Sequence, residues 1–290
     1  MHADLESYEA KCDVIRDRVR GVATGYATGT YIWGDGGIGK SWIVFDELNQ
    51  LRKSYHVCNS RLTARGLFDR LAEFPNDIHV IEDLEGMSRE GSSLLRSALW
   101  TTSSGQPRPI VWQTAKHSLS VDFTGGIIFT ANRSLADCPE LRAVRDRIPH
   151  LHFCPSPAEV KAALRQLANN GHEDLPAVDC HECLDHLFDQ AEKTSKRISL
   201  RSAVGAWQDR RQWRDGLSSL DWRDLVDGRL EETVLLPTRT RDGRLEFLRE
   251  KAIAIDALKI GCKAKIDLFK EQTGHGKSTF YERLREAGLN

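Results

Sequence analysis

Thr30-Tyr31-Ile32-Trp33-Gly34-Asp35-Gly36-Gly37-Ile38-Gly39-Lys40-Ser41-Trp42 is the stretch on which the reading of this chain turns. Its first four residues are β-branched or aromatic, the composition of a short buried strand. Gly34 to Ser41 match G-x-x-x-x-G-K-[ST], and an apolar-periodic run (Trp42, Ile43, Phe45, Leu48, Leu51) follows as a helix. Strand, glycine-rich loop and helix together are the context that makes the pattern a phosphate-binding loop.

The chemistry accounts for each letter. Gly36, Gly37 and Gly39 leave backbone N–H groups room to curl around phosphate oxygens, where a Cβ would intrude. A helix opening at Lys40 adds the positive end of its dipole. Lys40 reaches the β- and γ-phosphates as a point charge, and Ser41 offers a hydroxyl to Mg2+. Gly34, Asp35, Gly36, Gly37, Ile38, Gly39, Lys40, Ser41 and Trp42 are therefore the expected nucleotide contacts, with ATP and Mg2+ as ligands.

A second strand-like run, Ile78-His79-Val80-Ile81, ends in Glu82-Asp83. Acids at the end of an apolar strand match a Walker B element and emerge beside the phosphate loop in a parallel sheet. The usual order is Asp then Glu, and here it is inverted. By position Glu82 goes to Mg2+ and Asp83 to the attacking water. The plain alternative for two such acids is a solvated turn.

A third strand candidate, Gly126-Ile127-Ile128-Phe129-Thr130-Ala131, ends in Asn132-Arg133. With this third element the series resembles the AAA+ family of ATPases over residues 20–215. The resemblance implies that Asn132 is the polar sensor at the end of the strand next to Walker B. It also implies an arginine finger just before the last core strand, reaching a neighbouring subunit's ATP. Arg145 and Arg147, with Arg142 also possible, precede the apolar run Ile148 to Phe153 and fit that place. A helix beginning around Arg197-Ile198-Ser199-Leu200-Arg201 resembles the one bearing sensor 2, so Arg201, with Arg197 second, is expected over the γ-phosphate. A surface salt-bridge network is the alternative for several of these arginines.

The implied fold is α/β, a P-loop NTPase parallel sheet of AAA+ type, followed by an α-helical lid and a small C-terminal helical domain. The expected boundaries are 1–155 for the nucleotide-binding core, 156–236 for the lid, 237–244 for a linker and 245–290 for the last domain. Within the core, Pro109 to Gln113 and Leu119 to Phe123 flank a polar turn and read as a hairpin. In some AAA+ clades a hairpin here lines a pore, which would bring Lys116 and His117 to a threaded strand.

Beyond the linker three helical patterns follow: Leu245 to Leu258, Lys263 to Gln272, and Lys277 to Ala287. A glycine turn, Thr273-Gly274-His275-Gly276, joins the last two in helix-turn-helix manner. Lys277, Ser278, Thr279 and Arg283 are expected on the exposed face of the third helix, with Phe280, Leu284 and Ala287 inside. Local lysines and arginines suit phosphate anchoring, so DNA is an expected partner, and a protein-docking module is the alternative.

Bulk properties bound the rest. The 290 residues are 40% hydrophobic and 29% charged, with net charge −1 and mean hydropathy −0.45. A near-neutral molecule attracts polyanions only through local patches. No apolar run reaches the ~18 residues of a membrane span. The charged N-terminus does not read as a signal peptide, and an odd number of scattered cysteines fits a reducing compartment. The expectation is a cytoplasmic homo-oligomer, ring or filament, that hydrolyses ATP to act on DNA in replication initiation, helicase loading, unwinding or transposition. Cys180, Cys183 and His186 lack a second ligand pair at zinc spacing, and no metal site is expected there. Two other classes fit the loop: a slow nucleotide-gated regulatory or defence switch, and a P-loop small-molecule kinase.

Overall fold

The computed structural model describes residues 2–59, 62–83, 87–100, 106–113, 118–231, 241–273 and 275–289. The expected pore contacts Lys116 and His117, linker residues 237–240 and Gly274 lie outside them. The chain divides into two compact units, residues 1–171 with 197–204, and residues 172–196 with 205–290.

The first unit opens with helix α1 (His2–Ala23) and strand β1 (Gly29–Trp33), followed by α2 (Lys40–Gln50), β2 (Tyr55–Cys58), α3 (Ala64–Glu73) and β3 (Ile78–Glu82). Next come α4 (Arg89–Ala98), β4 (Arg108–Gln113), β5 (Ser118–Phe123) and β6 (Gly126–Ala131). Two 3-10 turns then lead to α5 (Arg142–Arg145), β7 (His150–His152) and α6 (Pro157–Ala168). Five of these strands form one parallel sheet in the order β2-β3-β6-β1-β7, while β4 and β5 pair as a separate antiparallel hairpin. This is the α/β P-loop NTPase sheet of AAA+ type. The strand ending in Asn132 is inserted between the phosphate-loop strand β1 and the acid-bearing strand β3.

Strand alternation divides the sheet's burial between two layers. Tyr31, Ile81, Ile127 and Phe129 pack toward α3, α4 and the hairpin with Leu67, Leu71, Leu94 and Leu95. Ile32, Ile78, Val80 and Ile128 pack toward α1 and α2 with Ile15, Val19, Ile43, Val44 and Leu48. Because both faces are covered at the sheet's centre, β1, β3 and β6 are largely apolar runs, while the edge strands β2 and β7 carry histidines. Each such Ile or Leu side chain, once buried, contributes about 1.5–3 kcal/mol.

Helix ends are set locally. Thr63 and Ser88 accept hydrogen bonds from Gly66 N and Gly91 N, capping α3 and α4. Ser156 and Glu159 form a reciprocal capping box on α6. Glu159 also accepts from Lys11 Nζ at 2.7 Å and from Ser7 Oγ at 2.5 Å, tying α1 to α6. Burial alone would raise the Glu159 carboxyl, but these bonds and the Ser156 N–H hold it down at about 2. Helix α6 packs on α1, and the first unit includes it, running to Gly171.

The second unit is helical: α7 (Ala177–Lys193), most of α8 (Leu200–Arg214), α9 (Trp222–Glu231), α10 (Arg241–Asp256), α11 (Cys262–Thr273) and α12 (Lys277–Glu286). Cys180 and Cys183 are buried on α7, and His186 Nε2 lies 2.8 Å from Asp227 Oδ1. Helix α10 starts at Arg241, four residues before the pattern placed it. The last three helices share a small core of Leu248, Ala252, Ile255, Phe269, Phe280 and Leu284.

Candidate functional site

The backbone builds the phosphate loop before any side chain acts. Gly34 passes so close to β7 that a Cβ there would sit 2.1 Å from the Phe153 carbonyl oxygen. Gly37 has φ +74°, and a Cβ on it would meet Ser199 Cβ at 2.9 Å. The Gly37 carbonyl accepts from Leu200 N at 2.8 Å, so the first residues of α8 are pinned to the loop's crest. Gly39 then caps the N-terminus of α2, where dipole and free N–H groups favour an anion.

Lys40 is the hub. Only 7% exposed, it donates from Nζ to Gly34 O at 2.9 Å, Asp35 O at 2.7 Å and Asn132 Oδ1 at 3.2 Å. Asn132 Nδ2 in turn donates to Asp83 Oδ1 at 2.9 Å. One side chain therefore links the phosphate loop, the end of β6 and the end of β3. Burial lowers the Lys40 pKa from the ordinary lysine value; Asp83 and Asp35 oppose that, while Arg201 and Arg197 add to it.

The two acids occupy different places. Glu82 is paired in register with Thr130, on the face of the sheet that α2 covers. Thr130 Oγ1 lies 3.3 Å from Ser41 Oγ. The Ser41 and Thr130 hydroxyls therefore lie together, with Glu82 in register on the same face of the sheet; all three are hard oxygen donors of the kind Mg2+ takes. Asp83 leaves the strand with φ +44°, a left-handed value uncommon for a residue with a Cβ. Its N–H is fixed to Thr130 O at 2.9 Å, and its carboxylate turns to Asn132.

The arginines separate clearly. Arg197 forms an ion pair with Asp35, and Arg201 is exposed with its Cβ 3.5 Å from where a Gly37 Cβ would be. Arg142 and Arg145 are exposed on α5. Arg147 instead lies over the Trp100 ring at 5.9 Å and lines a cavity at the N-terminal ends of the strands. Within the loop, Ile38 is fully buried, so its contribution there is backbone, whereas Trp42 is 57% exposed.

On α12 one expectation is corrected. Lys277 and Ser278 are exposed and Thr279 is half-buried, but Arg283 is only 7% exposed. It lies three residues after Phe280 and next to Leu284, on the apolar stripe, and it pairs with Glu282 at 3.1 Å and Glu286 at 2.7 Å. A residue so placed holds the helix and is not available to a partner.

Thr130, Ser199 and Leu200 shape the site without belonging to its sequence motifs. Thr130 had a signal, as the polar residue in the apolar run Gly126–Ala131 on the same face as Ile128. Nothing local marked Ser199 or Leu200, whose contact with Gly37 is made across 162 positions or more.

The fold and site define a P-loop NTPase fold of AAA+ type. No family model matches this sequence, and no curated protein matches it. Among solved structures, the RuvB Holliday junction branch migration motor of Thermotoga maritima is similar at 15% identity and TM-score 0.49, covering 98% of this chain and 87% of that one. NtrX from Brucella abortus, in complex with ATP, is similar at 16% identity and TM-score 0.47, covering 96% of this chain and 68% of that one. The fold assignment itself rests on the strand order and the loop that this chain carries.

Proposed function

We propose that this chain is an ATPase of AAA+ type that binds ATP with Mg2+ at Gly34 to Ser41, works as a homo-oligomer and acts on DNA. The observation that carries the reading is the hydrogen-bonded series Lys40–Asn132–Asp83, which unites the three expected elements of such a site. ATP would lie against the loop's N–H groups, with Lys40 exchanging the Gly34 and Asp35 carbonyls for phosphate oxygens. Ser41 and Glu82 would hold Mg2+, with Thr130 positioning the serine. The ion supplies charge neutralisation across the β- and γ-phosphates. Asp83 would orient the attacking water as proton acceptor, and Asn132 would hold Asp83 in place. Arg201 and Arg197 approach the loop from the start of α8 and suit the γ-phosphate.

The DNA assignment is drawn from α10–α12, where Lys259, Lys263, Lys270, Lys277 and Arg285 are exposed. Replication initiation, helicase loading, unwinding and transposition are all uses of such an architecture. A second reading, a slow nucleotide-gated switch, is favoured by one observation: the Asp83 carboxylate is held by Asn132 on a backbone with positive φ.

Steady-state ATPase rate against protein concentration, with and without DNA, tests the proposal. The expected result is a rate that climbs with concentration, is stimulated by DNA, and vanishes in Lys40→Ala together with nucleotide binding. Unchanged turnover in Lys40→Ala would overturn the site. A flat, DNA-indifferent rate with slow single turnover would favour the switch.

A further inference from the structure

At the edge of the sheet opposite the phosphate loop, where the strands begin, a cavity of about 610 Å3 opens beside Gly29, Ile78 and Gly126. Its charge is one-sided. Among the described residues, Arg18, Lys53, Arg108 and Arg147 line it against a single carboxylate, Asp77. That carboxylate is already engaged, by His56 Nε2 at 2.8 Å and Ser54 Oγ at 3.1 Å, and the His56 bond leads in holding its pKa below the usual aspartate value. It stays ionised, and one carboxylate against four cations leaves the lining net positive. Arg18 and Lys53 are exposed and have no carboxylate partner among the described residues.

Arg108 is the decisive residue. It is only 4% exposed, yet no acid among the described residues faces it. Nε donates to Phe123 O at 3.3 Å, Nη2 donates to Gly125 O, and the guanidinium lies 4.9 Å over the Phe123 ring. Nη1 is buried with no hydrogen-bond partner among the described residues. Burial pushes the Arg108 pKa down to about 10, which leaves it charged at neutral pH. A buried, charged donor without an acceptor is costly unless something supplies an anion. At the cavity's margin stands Tyr26, 88% exposed, an aromatic face open to stacking.

We propose that this cavity is a second anion site that takes a phosphate carried beside a flat ring, a nucleotide unit, either free or within a single strand. The volume suits one such unit. Cations would take the phosphate and Tyr26 would stack on the base, the division of labour used by single-strand binders. The site is independent of the phosphate loop.

The test uses the full chain carrying Lys40→Ala, so that the loop is silent, and titrates AMP and a short dT oligomer separately by calorimetry or fluorescence. Saturable binding of at least one probe is expected, weakened tenfold or more by Arg18→Glu with Lys53→Glu, two exposed changes that leave the core intact. Tyr26→Ala should weaken the same probe. Binding of AMP alone identifies a free nucleotide as the source; tight binding of the oligomer with weak AMP identifies a strand. No saturable binding of either probe, or binding indifferent to the double charge reversal, would overturn the proposal.

Discussion

At the residue scale, two neighbouring acids divide the work by the direction in which the backbone sends them. Glu82 is the last residue of a regular strand and inherits the strand's alternation, which puts it in register with Thr130, on the face where Thr130 meets Ser41. Asp83 follows at φ +44° and is carried to Asn132 instead. The two acids thus point to different neighbours, and in the proposed site the strand-bound residue would serve Mg2+ and the residue beyond it the water. Asp83→Asn should keep nucleotide affinity within a few-fold and lower the hydrolysis rate about 100-fold or more, the usual range for losing a general base. Equilibrium binding together with single-turnover hydrolysis would separate the two effects; an unaffected rate would move the catalytic role to another group. Most of this was legible, because Gly34 to Ser41 and the terminal acids are local patterns with a mechanism. The Gly37–Ser199 contact was not, because a contact across so many positions exists only once the fold has formed.

At the element scale, strand β3 carries a second, less visible property. His79 lies on its buried face, 1% exposed, between the rings of His56 and Phe123, each 5.7 Å away. Its Nε2 meets Phe74 O at 3.0 Å and its Nδ1 has no partner among the described residues. Burial drops its pKa from 6.5 to about 4. In that window the unfolded chain takes up a proton that the folded chain refuses, so stability falls as pH falls from 6.5 toward 4, by roughly 3 kcal/mol in all. Glu159 adds a second, lower step: its folded pKa is depressed, so its contribution is present above 4.5 and is lost as pH falls toward 2. Denaturant unfolding at several pH values should show the slope, and His79→Gln should flatten it between 6.5 and 4 whatever its own cost. A wild-type stability independent of pH over that window would refute the account. Strand existence here was readable from the apolar run Ile78–Ile81, as were β1, β6 and the hairpin. Helix α1 is faint in the sequence, since its buried residues Tyr8, Cys12, Ile15, Val19 and Val22 are spaced among many charges. Their spacing of four and three is helical, and the signal was present but diluted.

At the scale of the whole molecule, the proposed assembly and the proposed DNA contact make separable demands. For DNA, α12 presents Lys277 and Ser278 while Arg283 is withdrawn into the helix's own ion pairs. Lys277→Glu should therefore weaken binding across all sequences and reduce the salt slope by about 1, the signature of a lost phosphate contact; an unchanged slope would remove Lys277 from the interface. For assembly, the requirement is an arginine that is free to reach a neighbour. Arg147 is committed to Trp100 and to the cavity at the strand beginnings, whereas Arg145 is exposed at the end of α5. A finger acting in trans has a property no residue of its own site can imitate. An Arg145→Ala subunit keeps an intact nucleotide loop, and a Lys40→Ala subunit keeps an intact finger. Each is inactive alone, yet mixing them creates interfaces where the first supplies the loop and the second the arginine. Mixed at equal concentration, the two variants should recover a substantial part of wild-type ATPase activity, while Arg147→Ala mixed with Lys40→Ala should show no such gain. If Arg145→Ala is inactive and mixing restores nothing, the arginine acts within its own subunit and the hydrolytic site is complete in a single chain.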